Sequence, residues 1–332
     1  MLKKTKKETV NMELALNKLQ KDIGLRNVTV DENTLMIQPN KVLRTDGFNV
    51  DSILTPELKE THEGLYSRIE AIADFTPKLY DTLKANPTSI SNWFPQLNEA
   101  VKKSLTFFKT PQTKILTLPI EFAQFTRLEY ANINQISKNF FNDFIFKQFE
   151  LEEDKSYFIK TGTYSDKFTF HNAHCKEPLE MGEYFIVINN TAMLLGASRS
   201  VDLCVREYIE PPENTPVIYS GMPLRTEFRA FFDFDKQELI GVVPYWNPLV
   251  MKRALSMGRS QEDYNVYLKH EDSLTESYNK HLYTVKREIT KICKNFTSSF
   301  KGQYSVDVML SGDDFYVIDM ALMEESALTE LL

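Results

Sequence analysis

The sequence predicts an α+β fold with a mostly antiparallel sheet, and three observations lead to this fold class. Residues 1 to about 110 are polar and mostly helical in pattern. After residue 155, six short runs rich in β-branched and aromatic residues predict strands. A stretch with few helix breakers, from about 261 to 296, predicts one long helix. Strands and helices that are grouped along the chain, rather than alternating, are typical of α+β proteins.

The individual elements follow from local patterns in chain order. Residues 28–30 (VTV) predict a short strand, and residues 57–103 have apolar side chains at helical spacing, broken by Pro77, Pro87 and Pro95. The run TKILTLPIEF at 113–122 predicts a strand that stops at Pro119, and NQISKNFFNDFIFKQF at 134–149 predicts an amphipathic helix. The six strand predictions after residue 155 cover 157–164, 184–190, 201–209, 224–235, 238–246 and the hairpin 304–322.

Length and composition limit the architecture and the class of protein. A chain of 332 residues exceeds one small core, and we expect a helical region at 1–110, a lobe at 111–205 and a lobe at 206–332. No run of eighteen apolar residues predicts a membrane span. The net charge of -7 argues against broad nucleic-acid binding without excluding a local basic groove. Three cysteines without metal-site spacing are typical of a reducing, cytoplasmic setting.

One predicted strand carries an unusual row of charges. In LRTEFRAFFDFD, strand alternation places Arg225, Glu227, Arg229 and Asp233 on one face, with Phe231 interrupting the row. Charges on a half-exposed strand can face water and neutralise one another. Two arginines around a glutamate are also a suitable wall for phosphate, because guanidinium groups bind phosphate oxygens bidentately.

The last hairpin contains carboxylates in otherwise apolar strands. Asp307 and Asp319 each lie where a core strand normally has none, and a lone buried carboxylate costs several kcal/mol. A three-residue loop at 312–314 would pair the two aspartates directly, whereas a four-residue loop would place them on opposite faces. The paired arrangement is tolerable around a hard cation such as Mg²⁺ or as a protonated pair.

Two further segments suggest contact with a phosphate-bearing ligand. Lys160 closes an apolar strand and precedes a polar segment that contains Gly162, Ser165 and Lys167. A lysine drawn into a cleft beside such a loop suits phosphate, although a strand-end lysine also commonly extends to water. In VREYIEPPE at 205–213, the two prolines end the strand ladder and would leave backbone groups at 207–209 available for a ligand.

Taken in order, these segments resemble the ATP-grasp superfamily, in which ATP lies between two mainly antiparallel sheets. Within it, the chain is most similar to the eukaryotic cell-division-cycle family that assembles translation initiation factor two. The similarity covers about residues 113 to 325, and the first hundred residues match no family. The matching segments are LPIEF at 118–122, Lys160 to Lys167, VREY at 205–208, EFRAF at 227–231, and Asp307 with Asp319.

The resemblance implies ATP and Mg²⁺ as cofactors and assigns a role to each candidate residue. ATP binding is expected from Lys160, Lys167, Arg206, Glu207, Tyr208, Ile209 and Glu227, contact with the transferring phosphoryl group from Arg225 and Arg229, and Mg²⁺ binding from Asp307 and Asp319. The family has an asparagine two residues after the second aspartate, and this chain has Ala321 there, which cannot ligate a metal.

Two functions follow from the resemblance. The first is an ATP-dependent ligase that joins a carboxylate to an amine or a thiol through an acyl-phosphate, with an unknown carboxylate or amine substrate that can be a peptide or a protein. The second is an ATP-binding assembly or interaction protein that clasps a protein partner without turnover. Ala321 and the unmatched first hundred residues favour the second slightly, because alanine removes a metal ligand that turnover uses in the family.

Overall fold

A computed structural model describes residues 75–256 and 260–332, together with the backbone of two short strands nearer the start of the chain. These strands, β1 (Val28–Asp31) and β2 (Met36–Pro39), pair antiparallel, so the strand predicted at 28–30 is confirmed. The predicted helical pattern at 57–74 lies outside the described residues. Within the described residues, every helix is too short or too polar to serve as a membrane span.

The chain divides into two compact units. Among the described residues, the first unit contains 75–86, 114–166 and 172–205. Its four-stranded sheet has the order β3-β6-β4-β5, and an aromatic core forms around α3, α4 and α6. The elements of this unit, including those that extend past its edges, are α1 (Pro77–Lys84), β3 (Thr113–Thr117), α3 (Ile120–Phe125), α4 (Gln135–Gln148), β4 (Tyr157–Thr161), β5 (His174–Cys175), α6 (Met181–Leu194) and β6 (Asp202–Glu207).

The second unit contains residues 87–113, 167–171 and 206–332. Its main sheet has the order β10-β9-β11-β12 with every neighbouring pair antiparallel, and the long helix predicted at 261–296 is present as α8. The elements of this unit are α2 (Ile90–Lys103), α5 (Phe170–Ala173), β7 (Val217–Ile218), β8 (Met222–Pro223), β9 (Glu227–Asp233), β10 (Glu238–Pro244), α7 (Pro248–Ser256), α8 (Gln261–Lys294), β11 (Gln303–Ser311) and β12 (Asp314–Leu322). The α+β class with antiparallel sheets is therefore confirmed.

The main sheet of the second unit has two chemically different faces. Phe228 on β9 stacks on Tyr278 of α8 with ring centroids 5.1 Å apart, and Val306 and Val308 of β11 are fully buried. Because side chains alternate along a strand, Glu227, Arg229 and Asp307 lie on the opposite face. One face is thus the apolar core beneath α8, and the other carries charge.

Asp307 and Asp319 pair in the hairpin of β11 and β12, but the loop length and the register differ from those considered from the sequence. Ser311 pairs with Asp314, so the loop has two residues, with Gly312 at the first position and a φ of 61°. Neither of the loop lengths considered from the sequence, three or four residues, is the one observed. A bulge shifts the register between Asp307 and Val308, and Asp307 still pairs directly with Asp319.

Two other sequence predictions are also wrong. The run YFIVINN at 184–190, predicted as a strand, lies within helix α6, where Phe185, Ile186 and Ile188 are fully buried. A helix buried on most sides shows a short continuous apolar run, which periodicity cannot distinguish from a buried strand. Pro95 does not break its helix and lies inside α2.

Candidate functional site

The candidate site is the charged face of the second unit's sheet, defined here by Glu227, Arg229, Asp307 and Asp319. Asp307 lies between Arg229 on one neighbouring strand and Asp319 on the other, directly opposite both. Residues directly opposite each other in a sheet have side chains on the same face within a few ångströms. The sheet thus brings together one arginine and two aspartates that are up to ninety residues apart in sequence.

Arg229 is the partner that compensates the charge of Asp307. Its Nε and Nη2 atoms donate to the two carboxylate oxygens of Asp307, each at 2.7 Å. The side chains are only 12% and 9% exposed, and the pair raises the pKa of Arg229 although burial alone would lower it. A bidentate, buried pair of this kind is strong only when its remaining groups are also satisfied.

Two additional contacts hold the Arg229 guanidinium. The Tyr245 ring lies beneath it, 4.7 Å from Cζ to the ring centroid, and Nη1 donates to the Ala327 carbonyl at 3.2 Å. Ala327 belongs to a segment, residues 326–332, that we call the strap. The Nε, Nη1 and Nη2 atoms of the guanidinium and one of its two faces are therefore in contact with other groups of this chain.

The strap is anchored on the same sheet face, beside the charged residues. Leu328 is 2% exposed and packs in an apolar cluster with Phe231 and Val243, the neighbours of Arg229 on β9 and β10. Any side chain at Gly241 would meet Leu332 at 2.5 Å. Ser326 Oγ lies 2.7 Å from Ser305 Oγ, and Ser305 is the residue opposite Ala321. Hydroxyl groups thus lie near the position where the resemblance leads one to expect an asparagine.

Lys167 borders the charged face within an aromatic cage. Its Nζ lies 4.0 Å from the centroid of Tyr245 and 5.7 Å from the centroids of Trp246 and Phe168. Burial lowers the pKa of Lys167 to about 8, against the opposing influence of Glu227 and the two aspartates. The ring faces attract the ammonium group, but they replace only part of the stabilisation that water would give it. A phosphate ligand would restore much of the lost stabilisation.

Glu227 is the third carboxylate of the site. Burial raises its pKa to about 7, although Lys167 opposes the shift. The two basic side chains of the site, Lys167 and Arg229, therefore face three carboxyl groups. A site with so little positive excess cannot hold a polyphosphate by its side chains alone.

Substitution of Glu227 with glutamine is expected to stabilise the fold at pH 8 by about 1–2 kcal/mol and to leave it unchanged at pH 4.5. The raised pKa means that the native state binds the proton more tightly than the unfolded chain. Stability is therefore fully present below pH 4.5 and is lost as the pH rises through 7. Denaturant unfolding of both proteins at the two pH values measures the difference, and an equal effect at both would contradict the assignment.

Backbone groups of the linker after β6 have hydrogen-bond partners that its sequence does not predict. The Glu207 amide donates to the Gln112 carbonyl at 3.1 Å, and the Ile209 carbonyl accepts from Nη2 of Arg225 at 2.5 Å. These two backbone groups, expected to be available for a ligand, have partners in the chain. The Tyr208 ring lies 6.4 Å from that of Phe170. Arg225 thus holds the linker, and burial lowers its pKa.

Two further predicted residues, Lys160 and Arg206, are both buried. Lys160 is buried in β4 of the first unit. Arg206 is buried in the second unit, where its Nη1 donates to the Ile318 carbonyl at 2.6 Å. Sequence reasoning missed Tyr245, Trp246 and the strap. The aromatic pair could have been noticed beside the end of the predicted strand 238–246, but nothing in the sequence indicates where the strap packs.

The carboxylates suit Mg²⁺ only in company with a ligand. No group of three or more His, Cys, Asp or Glu side chains in 75–256 and 260–332 is arranged to hold a metal ion by itself. Mg²⁺ commonly takes one or two carboxylates together with phosphate oxygens and water. Asp307 and Asp319, directly opposed on two strands, fit that pattern, and each carboxylate oxygen of Asp307 retains a lone pair beyond its bond to Arg229.

Comparisons with known proteins find similarity in structure only. No protein-family model and no curated protein matches the chain. Among solved structures, Cdc123 from Schizosaccharomyces pombe matches at 14% identity, with 77% of this chain and 90% of that chain covered and a TM-score of 0.42. Its C-terminally truncated form matches at 13% identity, covering 74% and 86% with a TM-score of 0.43.

A ligase solved with bound ATP is also among the matches. D-alanine–D-alanine ligase from Bacillus anthracis, complexed with ATP, matches at 10% identity, with 69% of this chain and 54% of that chain covered and a TM-score of 0.27.

Proposed function

We propose that this protein binds Mg·ATP on the charged face and uses it as a ligase that joins a carboxylate to an amine or a thiol. The observation that supports the proposal is the convergence of Lys167, Arg229 and three carboxylates on one sheet face. Five sequence-predicted site residues meet there: Lys167, Glu227, Arg229, Asp307 and Asp319.

The charge balance of the site favours a nucleotide accompanied by a metal ion. Two basic side chains against three carboxyl groups leave the face with no excess of positive charge, and ATP would add several negative charges. In the proposal, Asp307 and Asp319 hold Mg²⁺, which when bound neutralises phosphate charge and orients the phosphoryl group. Lys167 binds phosphate oxygens, and Lys160 keeps the role in ATP binding that the resemblance implies.

The arginines and the linker complete the proposed assignment. Arg229 supplies positive charge next to the transferring phosphoryl group while it orients Asp307. Arg225 keeps the linker at 207–209 in place for the adenine through its bond to the Ile209 carbonyl, and it is the second candidate for phosphoryl contact. The chain's contribution to the reaction would be positioning and charge stabilisation.

The proposed reaction has two balanced steps. A substrate carboxylate oxygen attacks the γ-phosphorus, and ADP leaves to give an acyl-phosphate. An amine or thiol then attacks the acyl carbon, and inorganic phosphate leaves as the amide or thioester forms. The substrate carboxylate can belong to a small molecule, a peptide or a protein.

Release of ADP in the presence of hydroxylamine tests this function. The purified protein is incubated with Mg·ATP and pooled amino acids, peptides or cell extract depleted of nucleotides. A ligase is expected to form ADP and to give acyl hydroxamate, because hydroxylamine captures an acyl-phosphate. Stoichiometric ATP binding without ADP under every condition would contradict the ligase and support the ATP-binding assembly function instead.

A further inference from the structure

The pairing of Asp307 with Asp319 depends on one extra residue in β12. A regular hairpin with the observed two-residue loop would pair Asp307 with Ile318, because Val308 pairs with Val317. Asp319 would then point to the apolar face beneath α8. The bulge at Ile318 is what moves Asp319 onto the charged face beside Asp307.

A bulge leaves part of the ladder unpaired, and here a buried arginine compensates it. The residue inserted by a bulge has no partner on the neighbouring strand. The carbonyl of Ile318 accepts a hydrogen bond from Nη1 of Arg206 at 2.6 Å, and Arg206 is only 4% exposed. Its guanidinium also lies 5.7 Å from the ring centroid of Phe94 on α2, which fixes its approach to the bulge.

We propose that Arg206 is a positioning residue that holds the Ile318 bulge and thereby places Asp319 opposite Asp307. This inference rests on the proposed function for the part that concerns Mg·ATP. It replaces the direct nucleotide contact expected for Arg206 from the resemblance. Its Nε and Nη2 have no hydrogen-bond partner among the described residues and are closed to solvent, so a nucleotide cannot reach them.

The hydrophobic pattern of β12 explains why the strand needs the bulge and a donor for the Ile318 carbonyl. Val317 and Met320 are both buried opposite core residues of β11, although they are three positions apart in the strand. Strict alternation cannot bury both, so the core selects the bulged register and leaves the Ile318 carbonyl to be satisfied. Arg206 supplies the missing donor. The core, the bulge and the charged face are therefore linked through one side chain.

The test uses Arg206→Met, which keeps side-chain length and removes every donor. We expect the Mg²⁺ concentration that half-saturates ATP-dependent thermal stabilisation to rise at least tenfold. ATP binding measured in EDTA is expected to change less than twofold. Arg206→Lys, which restores one donor, is expected to recover most of the Mg²⁺ response. A loss of ATP affinity that is equal with and without Mg²⁺ would overturn the inference and restore a direct nucleotide contact.

Arg127→Met is a closely matched control. Arg127 lies in the first unit, donates from Nη2 to the Ser198 carbonyl at 3.3 Å, and lies 4.8 Å from the Phe75 ring centroid. Its replacement removes the same kind of contacts from a buried arginine. We expect it to leave the Mg²⁺ half-saturation unchanged. If both variants shift it equally, the effect of Arg206 is general destabilisation and the inference is wrong.

A register measurement tests the inference without any nucleotide. Cysteines at 305 and 321 (S305C/A321C) would be directly opposite in the bulged register, at a distance suited to a disulfide. In an unbulged register, residue 305 would face Met320 and cross-linking would fail. Oxidation is expected to be at least threefold slower when Arg206→Met is added, and an unchanged rate would overturn the inference. If the wild-type protein does not bind Mg·ATP, the proposed function fails and this measurement decides the inference alone.

Discussion

Arg229→Met is expected to lower the free energy of unfolding at pH 7 by about 3–5 kcal/mol. The substitution leaves the Asp307 carboxylate, which is 9% exposed, without the guanidinium that donates to both of its oxygens. An unpaired buried charge costs far more than the net value of the pair. Urea unfolding of the variant and the wild-type protein measures the loss.

The double variant Arg229→Met/Asp307→Leu distinguishes two contributions to the loss of stability: the removal of the ion pair and the unpaired charge left on Asp307. Removal of both partners is expected to recover most of the stability, because an apolar pair of similar volume needs no compensation. A single variant within 1 kcal/mol of wild type, or a double variant as unstable as the single, would contradict the ion-pair account.

Asp319→Asn is expected to abolish the Mg²⁺-dependent part of ATP stabilisation. The amide retains the shape of the side chain but removes the charge that Mg²⁺ requires from one of only two proposed protein ligands. For a ligand at a hundred times its Kd, the stabilisation that would be lost is about 2.7 kcal/mol. Thermal unfolding with ATP, with and without Mg²⁺, measures it.

Asp313→Asn is the control for this substitution. Asp313 is an exposed residue in the turn of the same hairpin and has no proposed ligand role, and asparagine is well tolerated in turns. Its response to Mg·ATP should match that of the wild-type protein. A full Mg·ATP response in Asp319→Asn would remove Asp319 from the metal site.

Local pattern predicted most strands and helices of the described residues but could not show how the strands meet. The alternation in 224–235 correctly placed Glu227 and Arg229 on one face. From the sequence, a bound cation was the expected compensation for the charge of Asp307. The structure shows that Arg229 also compensates it. The ion pair depends on β9 lying beside β11, a pairing between strands about seventy residues apart that no local pattern encodes.

The hairpin shows the limit of register prediction in more detail. The pairing of Asp307 with Asp319 was predicted from a three-residue loop, yet it arises from a two-residue loop and a bulge. Val317 and Met320 are both buried although they are three positions apart, and this spacing indicates the bulge. The sequence alone does not show that both side chains face the core. Likewise, the strap reaches the site through apolar contacts of Leu328 that local patterns do not specify.

Calorimetric titration of the wild-type protein with ATP, in Mg²⁺ and then in EDTA, measures whether the charged face binds Mg·ATP. The charged face is predicted to bind one ATP per chain in Mg²⁺, with affinity falling at least tenfold in EDTA and in Asp307→Asn/Asp319→Asn. Absence of binding at millimolar ATP, or equal binding with and without Mg²⁺ in both proteins, would contradict a Mg·ATP site on this face.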